Sequence, residues 1–324
     1  MLQKKKIRWL IAHEPVQLFL RTAEAFREKI AELTNNEFEV EIYTSSEYEK
    51  QFKSSVLKDS TTDQVDPMIM LDSGELEMSQ LHITELARWH SPEFWALELP
   101  FIFRDHDHAA RVLEGDIGKK MLTGLVDKSP ARGLAFTYSG GFRCMASDVE
   151  IKSLEDLKGL KFAASRNPIT IDMIELIGAI PEIFVIKDYA NREKIEGLKA
   201  AALDTTIPRY LAQFQKTNKN YLTNTKHSLF LTSIIVGNKF WDSLDADTQA
   251  KFNEACQYAS RLERQWSVEE AEEFAAKGNH TDIGVTYSEF DQQETEKFKT
   301  LVSPLYNKYR EFFYPGLIDG IIQS

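Results

Sequence analysis

The chain has 324 residues, of which 43% are hydrophobic and 27% charged, and its 39 basic and 50 acidic residues give a formal net charge of −11. A single hydrophobic core stops growing at roughly 250–300 residues, so this length favours two cores. The negative balance argues against nucleic acid or an anionic membrane as the main partner. An anionic ligand would therefore need a local group of Arg or Lys.

The two cysteines, Cys144 and Cys256, have no metal-ligand or redox spacing. We expect two buried free thiols and neither a disulfide scaffold nor a cysteine-based zinc site. No apolar run approaches the roughly 20 residues that span a bilayer. A strand-like segment, and not an apolar signal core, follows the basic start at residues 1–6, which fits either a cytoplasmic protein or a mature form whose leader has been removed.

The first part of the chain alternates strand and helix patterns. An apolar strand at Ile7–Ala12 precedes a helical repeat over Val16–Leu33 and strict alternation over Phe38–Tyr43. This order predicts a β-α-β unit with parallel strands and a right-handed crossover. The next predicted elements are a short strand at Pro67–Leu71, an amphipathic helix around Ala109–Ile117 and a strand at Leu134–Tyr138.

A second set of units begins near Gly140. Its predicted elements are a short helix at Ser153–Gly159, a strand at Leu160–Ala164, a helix at Ile169–Ile177, a strand at Ile183–Ile186, a helix at Lys194–Ala202 and an apolar strand at Leu229–Val236. The helical pattern over Asp245–Lys277 would be some 50 Å long at about 1.5 Å per residue, so we expect it to span two lobes. A strand at Val285–Tyr287 and a helix at Asp291–Phe313, broken at Pro304, complete the chain.

Eight segments in this order resemble the solute-binding proteins of TRAP transporters, in the group similar to the dicarboxylate-binding (DctP-like) component. They are Ser73–Met78, Glu93–Asp105, His108–Leu113, Arg132–Ala135, Gly141–Arg143, Leu154–Lys161, Ile177–Ala179 and Asn238–Leu244. The resemblance implies an α/β, two-lobed fold like that of periplasmic binding proteins, with a long helix between the lobes. We expect lobe I to comprise residues 1–139 and 228–267, and lobe II residues 140–227 and 268–324, with hinge crossings near 139, near 227 and in the long helix.

The same resemblance implies the function. We expect a periplasmic, monomeric protein that binds a small organic acid or related polar solute between its lobes and delivers it to integral-membrane TRAP permease subunits, without a cofactor. No catalytic motif is present, so we expect no enzyme. Two alternatives stay open at this point: a ligand-sensing protein that docks on a signalling receptor, and an enzyme on the same fold.

The resemblance also implies a carboxylate clamp, because family members usually grip the solute with an arginine in the strand after Asp156-Leu157-Lys158-Gly159-Leu160-Lys161. A guanidinium donates two charge-assisted hydrogen bonds to a carboxylate and keeps its charge. The expected position is occupied by Ala163. Arg166 could reach the same place, or Arg143 could hold the anion alone or with Arg209. Otherwise the ligand lacks a carboxylate, or the chain no longer binds the usual class of solute.

Other candidate ligand-binding residues follow predicted strands or lie in the segment that the resemblance places at the cleft floor. They are Thr206 and Arg209 after Asp204, His13 and Glu14 at the start of the first helix, His82 and Thr84, which would point together in an extended segment, and the aromatic residues Phe94 and Phe230. The run Asp105–His108 would suit a metal, but acidic residues at the start of a helix favour its dipole, and we interpret the run as a helix start.

Overall fold

The computed structural model describes residues 4–12, 16–52, 66–89, 91–183, 200–215 and 217–324. The strands in these ranges are β1 (Lys5–Ile11), β2 (Phe38–Thr44), β3 (Met78–His82), β4 (Ala131–Phe142), β5 (Cys144–Ser147), β6 (Lys161–Ala164), β7 (Ile180–Ile183), β8 (Ala202–Thr205), β9 (Tyr221–Asn224), β10 (Leu229–Gly237) and β11 (Thr286–Glu289). None of the helices in the described ranges combines the length and apolar character needed to cross a bilayer.

The α-helices are α1 (Val16–Leu33), α2 (Ser45–Phe52), α3 (Pro67–Ser73), α4 (Ile83–Trp89), α5 (His106–Glu114), α6 (Asp116–Gly124), α7 (Pro168–Leu176), α8 (Ile207–Arg209, continued by a π-helical turn at Tyr210–Phe214), α9 (Asn238–Asp242), α10 (Ala246–Lys277), α11 (Gln292–Val302), α12 (Pro304–Arg310) and α13 (Leu317–Gln323). Short 3-10 helices lie at Pro92–Glu98, Leu125–Asp127 and Leu154–Leu157.

Two sheets organise the chain. The first has the strand order β2-β1-β3-β10-β4 and the second the order β11-β9-β5-β8-β6-β7. In the first sheet β1 pairs in parallel with β2 and β3, which confirms the predicted β-α-β unit. In the second sheet β6 lies parallel to both β7 and β8. The chain thus folds into two α/β lobes, as the sequence predicts.

The long helix α10 contributes to the cores of both lobes. Its first half places Phe252 and Cys256 in a core with Trp9 and Phe26 of the first lobe. Its second half places Phe274 in a core with strands of the second sheet. Because one continuous helix supplies apolar side chains to both cores, the prediction of a helix shared by the lobes is confirmed. Both cysteines are buried and free, as predicted.

Some predicted elements are wrong in type or extent. Pro67–Leu71 is helical and not a strand, because Asp66 caps the segment by accepting a hydrogen bond from the backbone N–H of Met68 at 2.8 Å, with Pro67 in the first turn. The strand expected at Ile183–Ile186 lies at Ile180–Ile183, and residues 184–186 fall outside the described ranges. Most of the predicted helix at Lys194–Ala202 also lies outside them, and Ala202 begins β8.

The chain passes between the sheets at two adjacent crossings. Arg143 joins β4 to β5, residues 225–228 join β9 to β10, and the backbone N–H of Arg143 donates to the carbonyl oxygen of Ser228 at 2.8 Å. Just before the first crossing, Gly140 and Gly141 have φ values of +92° and +88°. The hydroxyl of Thr206 donates to the carbonyl oxygen of Ser139 at 2.6 Å and fixes this turn from the second lobe.

A buried carboxyl group ties the long helix to the same region. Glu263 of α10 is fully buried and accepts a hydrogen bond from the backbone N–H of Tyr138 at 2.6 Å. Beyond Tyr138, β4 loses its regular register with β10, because Phe142 is the next residue to pair, opposite Leu229. The carboxyl group of Glu263 thus supplies the acceptor for a strand N–H at the point where regular pairing ends. Burial raises the pKa of Glu263 to about 8.

We expect Gly140→Ala to destabilise the protein more than Gly74→Ala. A Cβ at Gly140 would lie 2.5 Å from the Thr206 hydroxyl oxygen and 2.8 Å from Cδ of Pro208, whereas a Cβ at Gly74 meets no atom within 4 Å. Both residues have positive φ, which costs about 1–2 kcal/mol for a non-glycine residue, and the clash adds about 1–3 kcal/mol. Urea unfolding measures both variants, and equal losses would contradict the close approach at Gly140.

We expect Glu263→Gln to remove a pH-dependent loss of stability. The pKa of Glu263 rises from 4.5 to about 8 on folding, so between these pH values the unfolded chain releases a proton that the folded chain keeps, and the free energy of unfolding falls as the pH rises. Urea unfolding at several pH values should show a smaller decline in the variant. Glu269→Gln, at an exposed position of the same helix, is the matched control and should follow the wild type.

Candidate functional site

The centre of the site is the guanidinium of Arg143 at the first crossing between the lobes. Its side chain is largely buried, and the residue is only 8% exposed. Nη1 lies 3.1 Å from Oδ2 of Asp204, at the second sheet, and Nη2 lies 3.5 Å from Oε1 of Glu98, in the 3-10 helix of the first lobe. One cation therefore connects carboxylates from both lobes.

Glu98 is held from several sides. The Thr84 hydroxyl donates to it at 2.8 Å, and Nδ2 of Asn167, from the start of α7 in the second lobe, donates to Oε2 at 2.8 Å. The residue is 5% exposed. Burial raises the pKa of Glu98 to about 7, although Arg143 and Thr84 oppose the rise. This carboxyl group therefore changes charge near neutral pH.

Asp204 behaves differently from Glu98. Burial alone would raise its pKa, but Arg143 and His227 outweigh burial and hold the pKa of Asp204 below its usual value. Nε2 of His227 lies 3.7 Å from Oδ1 of Asp204, and the Thr225 hydroxyl lies 2.7 Å from Nδ1 of the same ring. Asp204 is thus the permanent negative partner of Arg143.

The ring of Phe230 packs against two cationic side chains. The guanidinium carbon of Arg143 lies 3.7 Å and that of Arg209 4.6 Å from the ring centroid of Phe230. The His82 ring meets the same phenyl ring edge-on at a centroid distance of 4.1 Å. These contacts are in the range of cation–π and aromatic pairs. The structure thus brings together four of the residues that the sequence nominated.

A neutral polar cluster lies next to this ring on the first sheet. Gln80 is fully buried, and its Nε2 donates to the hydroxyl oxygens of Thr137 at 2.8 Å and Thr232 at 3.1 Å. Thr232 is paired with His82 in the β10–β3 register and lies two residues after Phe230 on β10, so the two side chains are on the same face of the strand. Oε1 of Gln80 has no hydrogen-bond partner within the described ranges, so an acceptor is open there.

The other nominated residues have different roles. Thr206 is fully buried, and its hydroxyl donates to the carbonyl oxygen of Ser139. This hydrogen bond holds the turn at Gly140. Phe94 is a core residue whose ring packs on Phe136 at a centroid distance of 5.9 Å. Such contacts are usual, because polar turn residues bond the local backbone and large aromatics favour cores, and a ligand role for these two residues stays a prediction.

The remaining nominated residues are Thr84, Arg166, His13 and Glu14. His82 and Thr84 do not extend along one strand, since α4 begins at Ile83; instead the backbone N–H of Thr84 donates to Nδ1 of His82 at 3.2 Å. Arg166 is exposed in the β6–α7 loop, immediately before Asn167, and makes no ion pair within the described part of the chain. His13 and Glu14 lie outside the described residues.

Sequence reasoning missed Glu98, Asn167 and Gln80. Glu98 carried a signal, because it is the single charged residue in the apolar run Leu97–Phe103. The run Asp105–His108 starts a helix as predicted, with the side chain of Asp105 accepting from the backbone N–H of His108 at 2.6 Å. Among the described residues no group of three His, Cys, Asp or Glu side chains has the arrangement of a metal site.

We expect Arg143→Met to destabilise the protein by about 3–5 kcal/mol near pH 8, because it leaves Glu98 and Asp204 buried without their cation. The loss should shrink as the pH falls and the two carboxyl groups become protonated. Urea unfolding at several pH values measures both effects. Arg166→Met, at an exposed position, is the control and should change stability by less than about 0.5 kcal/mol; a similar loss in both variants would contradict the bridging role of Arg143.

Comparison with known proteins agrees with this architecture. The C4-dicarboxylate-binding periplasmic protein DctP of Rhodobacter capsulatus is 24% identical over 293 residues, which cover 89% of this chain and 81% of the relative. Among solved structures, the sugar acid binding protein DctPAm from Advenella mimigardefordensis in complex with galactonate has a TM-score of 0.83 at 20% identity, with 100% of this chain and 98% of the other covered.

A TRAP periplasmic solute binding protein from Shewanella oneidensis with bound succinate has a TM-score of 0.82 at 17% identity, and the match covers 99% of both chains. At these identities the solved structures show the shared fold. The family model of DctP, described as bacterial extracellular solute-binding protein, family 7, matches residues 12–311, which is nearly the whole sequence. The chain therefore belongs to the DctP family of bacterial extracellular solute-binding proteins.

Proposed function

We propose that this protein binds a small organic acid in the crevice between its two lobes and delivers it to membrane-embedded TRAP permease subunits. The observation that carries the proposal is the pair of guanidiniums, Arg143 and Arg209, that converge on Phe230 where the chain crosses between the lobes. In an acidic protein, such a local concentration of positive charge is what an anionic solute requires.

The carboxylate of the solute would bind to cations at the crevice. We propose that Arg209 and Arg166 contact the solute carboxylate directly, because the terminal nitrogens of Arg143 already lie against Glu98 and Asp204. Arg166 directly precedes Asn167, whose side chain reaches Glu98 in the first lobe, so the β6–α7 loop lies at the lobe boundary. Arg143 would then act on the solute through its charge.

The proposed lobes comprise residues 1–139 with 228–267, and residues 140–227 with 268–324. Two observations support hinges at the first two boundaries: the positive φ values of Gly140 and Gly141, and the backbone bond between Arg143 and Ser228 that couples the two crossings. A solute that contacts both lobes favours their closed arrangement by the difference between its affinities for the closed and open states. The closed form would be the one that the permease recognises.

The remaining parts of the proposal follow from family membership. DctP-family proteins serve solute transport, which favours a periplasmic location and release of the solute without chemical change. Recovery of unaltered ligand after long incubation with the protein supports binding without turnover. Appearance of a product that depends on the protein would instead favour an enzyme.

We expect isothermal titration calorimetry with D-galactonate and succinate to detect binding of at least one acid. Arg209→Met and Arg166→Met should each weaken that binding about tenfold or more, because a charged hydrogen bond contributes about 1.5–3 kcal/mol. Arg310→Met is the matched control, since Arg310 pairs with Asp319 on the C-terminal helices and should not affect affinity. X-ray scattering of the wild type should show a smaller radius of gyration with the bound acid.

Two outcomes would contradict the proposal. If Arg209→Met and Arg166→Met both bound the acid as tightly as the wild type, these arginines would not be part of the binding site. If the radius of gyration were unchanged at saturating acid, binding would not be coupled to closure of the lobes.

A further inference from the structure

The charge at the site is nearly balanced before any solute arrives. The two guanidiniums that meet on Phe230 are matched in number by the carboxyl groups of Glu98 and Asp204. Strand β6 provides no arginine at the expected clamp position. That position is Ala163, which is 1% exposed and packs in the apolar core of the second lobe. A solute with two separated negative charges would therefore find few uncommitted cations here.

The carboxyl group of Glu98 has the contacts that the carboxylate of a solute would need. The Thr84 hydroxyl lies 2.8 Å from both of its oxygens, the Asn167 amide donates to Oε2 at 2.8 Å, and Oε1 lies 3.5 Å from Nη2 of Arg143. Donors from both lobes and a guanidinium are the arrangement that a bound carboxylate would need. The chain fills this position with its own carboxyl group, which repels a second negative charge brought close to it.

The polar side chains next to Phe230 on the first sheet are neutral and buried. Thr137 and Thr232 are fully buried and linked by Gln80, and Oε1 of Gln80 is an acceptor without a partner in the described ranges. An unused buried acceptor favours a ligand that brings an O–H or N–H donor. A carboxylate brings acceptors alone and would leave Gln80 unsatisfied.

We propose that the crevice selects solutes with one carboxylate and a neutral, hydroxyl-bearing remainder, and that Glu98 is the residue that excludes a second carboxylate. The inference rests on the proposed function and narrows its solute class. Glu98 acts here as a specificity-determining residue: it removes dicarboxylates from the range of acids that the fold can otherwise accommodate.

The selection depends on pH because Glu98 changes charge in the neutral range. The charged groups that act on it are Arg143 and Asp204 at the crossing and Glu85 on α4. Since burial raises the pKa of Glu98 to about 7, its carboxyl group is mostly ionised at about pH 8 and mostly protonated at about pH 6. Solute carboxyl groups titrate at lower pH than Glu98 and are mostly ionised over this range. Rejection of dicarboxylates should therefore be stronger at the higher pH.

The test uses two matched pairs of acids that differ only in whether the far end is CH2OH or a carboxylate: D-galactonate with galactarate, and 4-hydroxybutanoate with succinate. Calorimetry on the full chain at about pH 8 should show the monocarboxylate of a pair binding about tenfold or more tightly than its partner. At about pH 6 the ratio should fall toward one. In Glu98→Gln, which keeps a hydrogen-bonding side chain but loses the charge, the ratio should be close to one at both pH values.

Glu85→Gln is the control, because it removes a nearby carboxylate that lies outside the cluster and is 41% exposed at its side chain. Its ratio at about pH 8, where Glu98 is ionised with or without the Glu85 charge, should equal that of the wild type. The inference is overturned if the wild type binds galactarate or succinate at least as tightly as the matched monocarboxylate at about pH 8, or if the ratio is insensitive to pH. The pH series needs no variant and decides the question even if Glu98→Gln does not fold. Failure of all four acids to bind would overturn the proposed solute class itself.

Discussion

The structure depends on one cation placed between two lobes. Arg143 sits at a crossing of the chain, and its guanidinium faces a carboxyl group from each side. Removing these charges from water is costly, and a buried ion pair often adds little net stability. What the arrangement supplies is geometry: the charges fix how the start of β5, the 3-10 helix at Pro92–Glu98 and the end of β8 meet. The proposed crevice would take its polarity from that meeting point.

The two carboxyl groups around Arg143 divide their roles. Asp204 has a lowered pKa and keeps its charge, whereas Glu98 has a pKa of about 7 and can lose its charge under physiological conditions. The difference arises from position, because Asp204 is close to both Arg143 and His227, while Glu98 has Arg143 at the longer distance of 3.5 Å and its other donors, Thr84 and Asn167, are neutral. One arginine thus has one permanent and one conditional counter-ion.

Much of the fold could be predicted from the sequence. Periodicity revealed the β1-α1-β2 unit and the helix over Asp245–Lys277, because apolar spacing is explicit in long amphipathic elements. Pro67–Leu71 was mistaken for a strand, since five residues hold too little periodicity to outweigh the capping by Asp66. The arginines and Phe230 could be nominated from the chain. Glu98 and Asn167 could not be paired, because 69 residues separate them and their contact exists only in the folded chain.

The continuous helix α10 limits how the lobes can move. Its backbone hydrogen bonds resist stretching, and its apolar side chains are embedded in both cores, through Phe252 in one and Phe274 in the other. The lobes therefore cannot separate by translation along that side. A relative movement of the two cores would therefore have to bend α10 between Phe252 and Phe274, the stretch that contains Glu263.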